Sequence, residues 1–198
     1  INNQLTAMFN YAVKYYDLRD NPCTKAGSMG KSNAEEMQFW TKAEFEQFIT
    51  AVQDKPASYT AFMTMYYTGM RVGELCALTP EDVNLENNTI TINKTFQRIN
   101  GRDVVWPPKT QKSNRVITIP QTLADCLKNY IDKCYEIQPN DRLFPYTKSF
   151  LNHEMLRGCK KSGAKKIRLH DLRHSHASML VDMGVAPLEI AERLGHEK

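Results

Sequence analysis

Apolar residues recur at helical intervals through most of this chain and alternate only in its middle. Leu5, Met8, Phe9, Ala12 and Val13 share one helical face between residues 5 and 16, and Asp20-Asn21-Pro22 breaks that pattern. Lys25 to Glu36 is small and polar with little to bury, so it reads as a linker. Beyond it, Thr41 with Glu44 predicts a capping box, and Phe45, Phe48, Ile49 and Val52 follow at helical spacing. A second helix is expected from about Ser58 to Thr68, ended by a left-handed Gly69, and a short third from Val72 to Leu78, stopped near Pro80.

The middle changes period. Thr89 to Phe96 places Ile90 and Ile92 on one face of a strand, and Asn100-Gly101 is a favoured pair for a tight hairpin turn. Val104 to Trp106 is the expected returning strand and Arg115 to Ile119 another, with the polar, basic stretch 107–114 between them as a loop or hairpin tip. Helical periodicity then resumes at Thr122 to Glu136 (Leu123, Leu127, Tyr130, Ile131 inward), at 148–160, at 170–183 and at Pro187 to Arg193. The fold class expected is therefore mostly α with a small antiparallel β-sheet (α+β). No internal repeat is visible.

Composition narrows the function classes. With 41% hydrophobic and 24% charged residues the chain is that of an ordinary globular protein. No apolar run reaches the roughly 18 residues of a membrane span. The chain starts Ile-Asn-Asn-Gln, neither an initiating Met nor a signal peptide, and reads as a piece of something longer. Five cysteines without a C-x-x-C pair argue against a disulfide framework or a thiolate zinc site and for a reducing cytosol. The net charge of +4 is mild, but from Arg157 to Arg173 seven basic residues (Arg157, Lys160, Lys161, Lys165, Lys166, Arg168, Arg173) face one acid, Asp171. Such a stripe suits a phosphate backbone; a solvated basic loop is the plainer alternative.

Three segments carry candidate chemistry. In T-G-M-R-V-G-E-L, Thr68 to Leu75, Arg71 sits at a helix start, where the dipole disfavours cations, so it needs an anionic partner. Glu74 in an ion pair and a phosphate in a bidentate fork both answer that need. In P-P-K-T-Q-K-S-N-R-V-I-T-I-P, Pro107 to Pro120, a hairpin-tip lysine suits proton delivery to a leaving oxygen, or merely protects a strand edge. In R-L-H-D-L-R-H-S-H-A, Arg168 to Ala177, a helix would put His170, Arg173, His174 and Ala177 on one face. His170 and His174 have the spacing of two metal ligands but lack the Glu of H-E-x-x-H and a third ligand. For His174 and His176 a hydrogen-bonded helical residue is the preferred reading.

Together these segments resemble the catalytic domain of tyrosine recombinases, in the integrase branch found in phages and conjugative transposons. The matching elements occur in order: Arg71 in T-G-M-R-V-G-E-L, a hairpin lysine before the R-x-I-x-I-P strand, His170-Asp171-Leu172-Arg173 as an H-x-x-R box, and L-G-H at Leu194 to His196. The resemblance covers residues 37–198, with residues 1–24 similar to the last helix of the family's core-type DNA-binding domain and 25–36 as the linker. The family's nucleophilic tyrosine lies beyond the position of His196, and none of this chain's nine tyrosines does, so none inherits that role. The catalytic domain is expected to be truncated before it, and this fragment to be inactive alone.

The resemblance implies a site-specific DNA recombinase or integrase working through a 3′-phosphotyrosine intermediate. Arg71 and Arg173 would neutralise the non-bridging oxygens, and His170 would hydrogen-bond the phosphate and take the phenolic proton. Lys109 would protonate the leaving oxygen, with Lys112 as second choice, and His196 would donate a further hydrogen bond. Glu74 would hold Arg71 or His170 in place. Lys112, Arg115, Lys165, Lys166 and Arg168 would contact DNA. No metal or other cofactor is implied, since the phosphotyrosine conserves the energy of the cut strand. Expected partners are double-stranded DNA, a homo-tetramer on DNA for the full-length protein but a monomer for this fragment, and accessory DNA-bending proteins; no membrane is involved, and the location is the bacterial cytoplasm, at the nucleoid. The alternatives are a non-catalytic DNA-binding regulator of the same fold and a metal-dependent hydrolase built on His170 and His174; a type IB topoisomerase fits the L-G-H ending less well.

Overall fold

In the computed structural model, which describes residues 2–27, 37–107 and 114–195, the first apolar pattern forms helix α1 (Asn2–Tyr15) and the Asp20-Asn21-Pro22 break starts another, α2 (Pro22–Ala26). The chain divides into two units, Ile1–Glu36 and Met37–Lys198. Within the first, buried Asn21 joins the two helices. Its Oδ1 accepts from the Cys23 backbone N–H, while its Nδ2 donates to the Thr6 carbonyl at 3.0 Å and to Asn10 Oδ1 at 2.7 Å. The expected apolar face is only partly covered: Phe9 and Ala12 are half-buried, Leu5, Met8 and Val13 exposed. Lys25 and Ala26, expected as linker, close α2; residues 28–36 lie outside the described residues.

In the second unit the capping box forms as predicted. The Glu44 N–H donates to Thr41 Oγ1, the Thr41 N–H donates to Glu44 Oε2 at 2.8 Å, and α3 (Lys42–Ala51) follows with Phe45, Phe48 and Ile49 buried. Helix α4 (Pro56–Thr68) runs through the core and is buried on nearly every side. Thr64 and Thr68 tolerate that because Thr64 Oγ1 donates to the Thr60 carbonyl and Thr68 Oγ1 to the Thr64 carbonyl. A short α5 (Val72–Ala77) and a 3₁₀ turn (Pro80–Asp82) lead into the strands.

The strands form two separate pieces rather than one small sheet. β1 (Val83–Asn84), β2 (Thr89–Ile92) and β5 (Arg115–Thr118) make an antiparallel sheet in the order β1-β2-β5, with Ile90 opposite Ile117. β3 (Thr95–Ile99) and β4 (Arg102–Trp106) make a hairpin whose turn residues Asn100 and Gly101 both take positive φ, 51° and 78°. Thr89 to Phe96 splits because Lys94 is drawn out of the alternation, its Nζ 2.8 Å from Asp82 Oδ2 and hydrogen-bonded to Thr79 Oγ1. Gly73 permits α5 to lie on β3, since a Cβ there would sit 2.5 Å from Thr95 Oγ1 and 3.0 Å from the Phe96 carbonyl.

Helix α6 (Gln121–Ile131) ends five residues earlier than the Glu136 expected, in turns that leave Glu136 at φ 45°. Helices α7 (Lys148–Ser162), α8 (Asp171–Asp182) and α9 (Pro187–Leu194) lie where periodicity placed them. α4 packs against α3, α5, α6 and α8, and α7 against α3. The mostly helical α+β class expected is the class observed.

Gly69 is the joint that brings α4, α8 and α9 together. It takes φ +63°, and a Cβ there would meet His176 Cδ2 and Leu194 Cδ2, each at 2.6 Å. Gly69→Ala therefore combines left-handed strain with overpacking and should destabilise the unit by about 2–4 kcal/mol. Urea unfolding measures this; an unchanged midpoint would mean that His176 and Leu194 yield without cost.

Candidate active site

The N-terminus of α5, strand β3, the start of α7 and the turn before α8 enclose an open cleft of about 880 Å³. Arg71, His170 and Arg173, which the sequence separates widely, all line it.

Arg71 enters as the residue capping α5. Its backbone N–H donates to Glu74 Oε2 at 2.8 Å and its Nη1 to Glu74 Oε1 at 3.0 Å, leaving the side chain 43% exposed toward the cleft. The Glu74 alternative for Arg71's partner is thus realised, without closing off the guanidinium. Glu74 is itself buried, and its second cation is Arg115, whose Nη2 donates to Oε2 at 2.8 Å. Burial pushes the Glu74 carboxyl up, but the Arg115 hydrogen bonds and charge, then Arg71, outweigh it and hold the group below the usual carboxylate range.

Arg115 is a correction to the expected DNA contacts. Its side chain is 6% exposed and bonded to Glu74 and to the Arg193 carbonyl, so it cannot track a phosphate backbone from there. The signal was in the strand alternation: Arg115, Ile117 and Ile119 lie at i, i+2 and i+4, and the two isoleucines face the core.

Arg173 is 3% exposed, with Nη1 donating to the Gly69 carbonyl at 2.9 Å and Nη2 to the Leu194 carbonyl. Burial, with the Arg71 and Arg115 charges and against Glu74, lowers it to about 10, so it stays charged at neutral pH. Arg71, Arg115 and Arg173 thus gather around one carboxylate, an excess of positive charge suited to an anion.

His170 sits just before α8 in helical backbone conformation, so its spacing to His174 persists and the two rings meet edge to face, centroids 5.2 Å apart. Burial first, then the His174 and Arg173 charges, lowers its pKa below the ordinary histidine value. A neutral ring is the form able to accept a proton. Among the described residues no group of three His, Cys, Asp or Glu is placed to hold a metal. Lys109, Lys112 and His196 lie outside the described residues.

The basic stripe is less free than its sequence implies. Arg157 pairs with Asp54 and Glu154, Lys161 with Asp54, and Lys165 lies 3.8 Å from Glu44. Arg168 bonds Asp171 but keeps 72% of its side chain exposed, and Lys166 is exposed. Asp54 and Glu44 come from distant parts of the chain, which local charge counting misses, whereas Glu154 and Asp171 lie three residues from the arginines they pair with.

His176 is the buried, hydrogen-bonded helical residue expected. Its Nδ1 lies 2.8 Å from the Tyr66 carbonyl, which can only accept, and its Nε2 accepts from Arg193 Nε at 3.1 Å; together these contacts assign the neutral Nδ1–H tautomer. Burial and then the Arg193 charge lower its pKa to about 3. The unfolded chain, with histidine near 6.5, binds the extra proton first. Stability contributed by neutral His176 is complete above about pH 6.5 and is lost as pH falls from there toward 3. Histidine NMR should find His176 still neutral at pH 5 or so; an ordinary titration near 6.5 would refute this.

Fold and site define a mainly helical α+β domain with an arginine-lined cleft. Residues 38–198 match the phage integrase family model, and the chain belongs to that family. It is 30% identical to the ICEBs1 integrase of Bacillus subtilis, over 99% of this chain and 58% of that protein. It is also 30% identical to the integrase of Staphylococcus phage L54a, over 94% of this chain and 62% of the relative. The chain thus spans about three fifths of the length of these relatives. Among solved structures, the Tn1549 transposon integrase in complex with a circular intermediate DNA superposes with a TM-score of 0.84 at 22% identity, covering 100% of this chain and 70% of that one. The XerA recombinase gives 0.69 at 24% identity, covering 98% and 65%. At these identities the likeness establishes the fold.

Proposed function

We propose that this chain supplies the phosphate-binding core of a site-specific DNA recombinase that cuts and rejoins strands through a 3′-phosphotyrosine intermediate. The observation that carries it is the meeting of Arg71, Arg173 and His170 in one cleft with surplus positive charge. In the reaction a tyrosine oxygen bonds to phosphorus, the bond to the 5′-oxygen breaks, and the phenolic proton leaves while the 5′-oxygen gains one. Arg71 and Arg173 neutralise the non-bridging oxygens as charge builds there, and His170 accepts the phenolic proton. Lys109, or Lys112 from the same loop, protonates the leaving oxygen, and His196 adds a hydrogen bond to the phosphate. The attacking phenol belongs, on this reading, to the parent protein beyond Lys198.

Duplex DNA is the substrate, held by backbone contacts from Lys165, Lys166 and Arg168, which places the protein in the cytoplasm with the DNA. Residues 37–198 act as the catalytic domain, and residues 1–24, which hold α1 and the start of α2, as the end of a DNA-binding domain before it. A tetramer assembles on two duplexes, with accessory DNA-bending proteins. For DNA as the substrate, the supporting case is the Tn1549 transposon integrase, solved with a circular intermediate DNA.

The test is covalent trapping. The parent protein, given a nicked DNA target that lets the 5′ product diffuse away, should form a protein–DNA adduct stable in denaturant, and the 198-residue chain should not. A parent protein that binds its target tightly yet never forms the adduct would sink the proposal.

A further inference from the structure

Helix α9 has little apolar attachment to the rest of its unit. Its buried residues Ile190 and Leu194 meet Leu180 in a cluster apart from the main core. Beside buried Leu194, its last turn is held by polar contacts of Arg193. Arg193 Nε donates to His176 Nε2 at 3.1 Å, and its Nη2 donates to the Tyr67 carbonyl at 3.3 Å and the Thr118 carbonyl at 2.8 Å. One guanidinium thereby ties α9 to α8, to α4 and to the end of β5.

The same turn reaches the arginine cluster through its carbonyls. The last carbonyls of a helix have no partner within it and attract cations. Here the Arg193 carbonyl accepts from Arg115 Nε at 3.0 Å, and the Leu194 carbonyl accepts from Arg173 Nη2. Arg173 is therefore tethered by two helix ends, the Gly69 carbonyl behind α4 and the Leu194 carbonyl of α9. Neither Arg115 nor Arg193 lines the cleft.

We propose that Arg193 is a positioning residue for the cleft arginine Arg173: by pinning the last turn of α9 it holds the Leu194 carbonyl on Arg173, and its own carbonyl on Arg115, the buried partner of Glu74. The inference rests on the reading of the cleft as a phosphate site and adds a residue outside that cleft. A helical slip of one residue moves a carbonyl by about 1.5 Å, enough to break a hydrogen bond. Arg173 would then keep one tether of two, and displacements of about 1 Å at a reacting centre cost on the order of 10²-fold in rate.

The test uses this chain and orthovanadate, a mimic of the phosphoryl group, with affinity and sites per chain read by vanadium NMR. Arg193→Gln and Arg193→Lys should both weaken binding by about tenfold while the number of sites per chain stays unchanged. Lysine keeps the charge but cannot make the fork to His176 and two carbonyls at once, so its failure to rescue separates geometry from long-range charge. Arg173→Ala should weaken binding at least as much, and adding Arg193→Gln to it should cost little more, because both act through one group.

Wild-type affinity in Arg193→Gln, rescue by Arg193→Lys, full additivity, or a loss confined to the number of competent sites overturns the positioning role. If any of these occurs while Arg173→Ala does weaken binding, the phosphate-site reading stands without it. If the unsubstituted chain binds no vanadate, or Arg173→Ala binds it as tightly, the phosphate-site reading fails and the inference goes with it.

Discussion

Arg173→Ala in the parent protein is expected to slow covalent attachment to DNA by about 10³-fold, since even one oxyanion-type donor contributes about 10²–10³ and this change removes a charged fork. The arginine is 3% exposed and lies where Arg71 and His170 also face the cleft, so water cannot replace it at the phosphate. It has a structural share as well, because its loss leaves the Gly69 and Leu194 carbonyls without their donor. Each such buried acceptor costs about 1–3 kcal/mol. The two contributions separate in a single-turnover assay with folded protein confirmed by circular dichroism. A rate within tenfold of wild type would remove Arg173 from the phosphate site. Arg173→Lys keeps the charge but cannot span both carbonyls and a phosphate, and should recover only part of the rate.

Glu74→Ala should have the largest effect on stability, about 3–5 kcal/mol, because it strands Arg115 as a buried cation without its carboxylate. The Arg115 side chain is 6% exposed and that of Glu74 7% exposed, so solvent offers little compensation. Arg71 also loses the group that seats it, and the phosphate site should weaken together with the fold. Chemical denaturation at neutral pH measures the first effect, and a loss below about 1 kcal/mol would show the pair to be solvated rather than buried. Acid should reproduce part of the loss in the unsubstituted protein. Glu74 titrates below its unfolded value of about 4.3. Its contribution is therefore whole above that pH and is lost as pH falls through the lower folded pKa. In Glu74→Ala that part of the acid limb should be absent.

Features set by neighbours along the chain were legible without a structure. Thr41 with Glu44 announces a helix start because both capping partners lie within one turn, and Asn100-Gly101 announces a turn because both residues accept positive φ. The ordered motifs around Arg71 and His170-x-x-Arg173 identified the residues that share the cleft, though not that they would meet. The split of Thr89 to Phe96 was not legible, because Lys94 is drawn away by Asp82, a partner from another turn. Arg115 was assigned to DNA because arginine in a basic segment suggests a phosphate contact, whereas its strand face points it inward to Glu74.

The sequence alone therefore determined most of the helices, though not α2 or the end of α6, with the hairpin turn and the family of the chain, all of which rest on spacing and residue type. Only the tertiary structure decided which charges are available. It neutralised Arg157 with Asp54 and Glu154, buried Arg115 on Glu74, and set Arg173 between two helix-end carbonyls. The reason is physical: a guanidinium's availability depends on the acids and carbonyls that reach it, and here most of those come from distant elements.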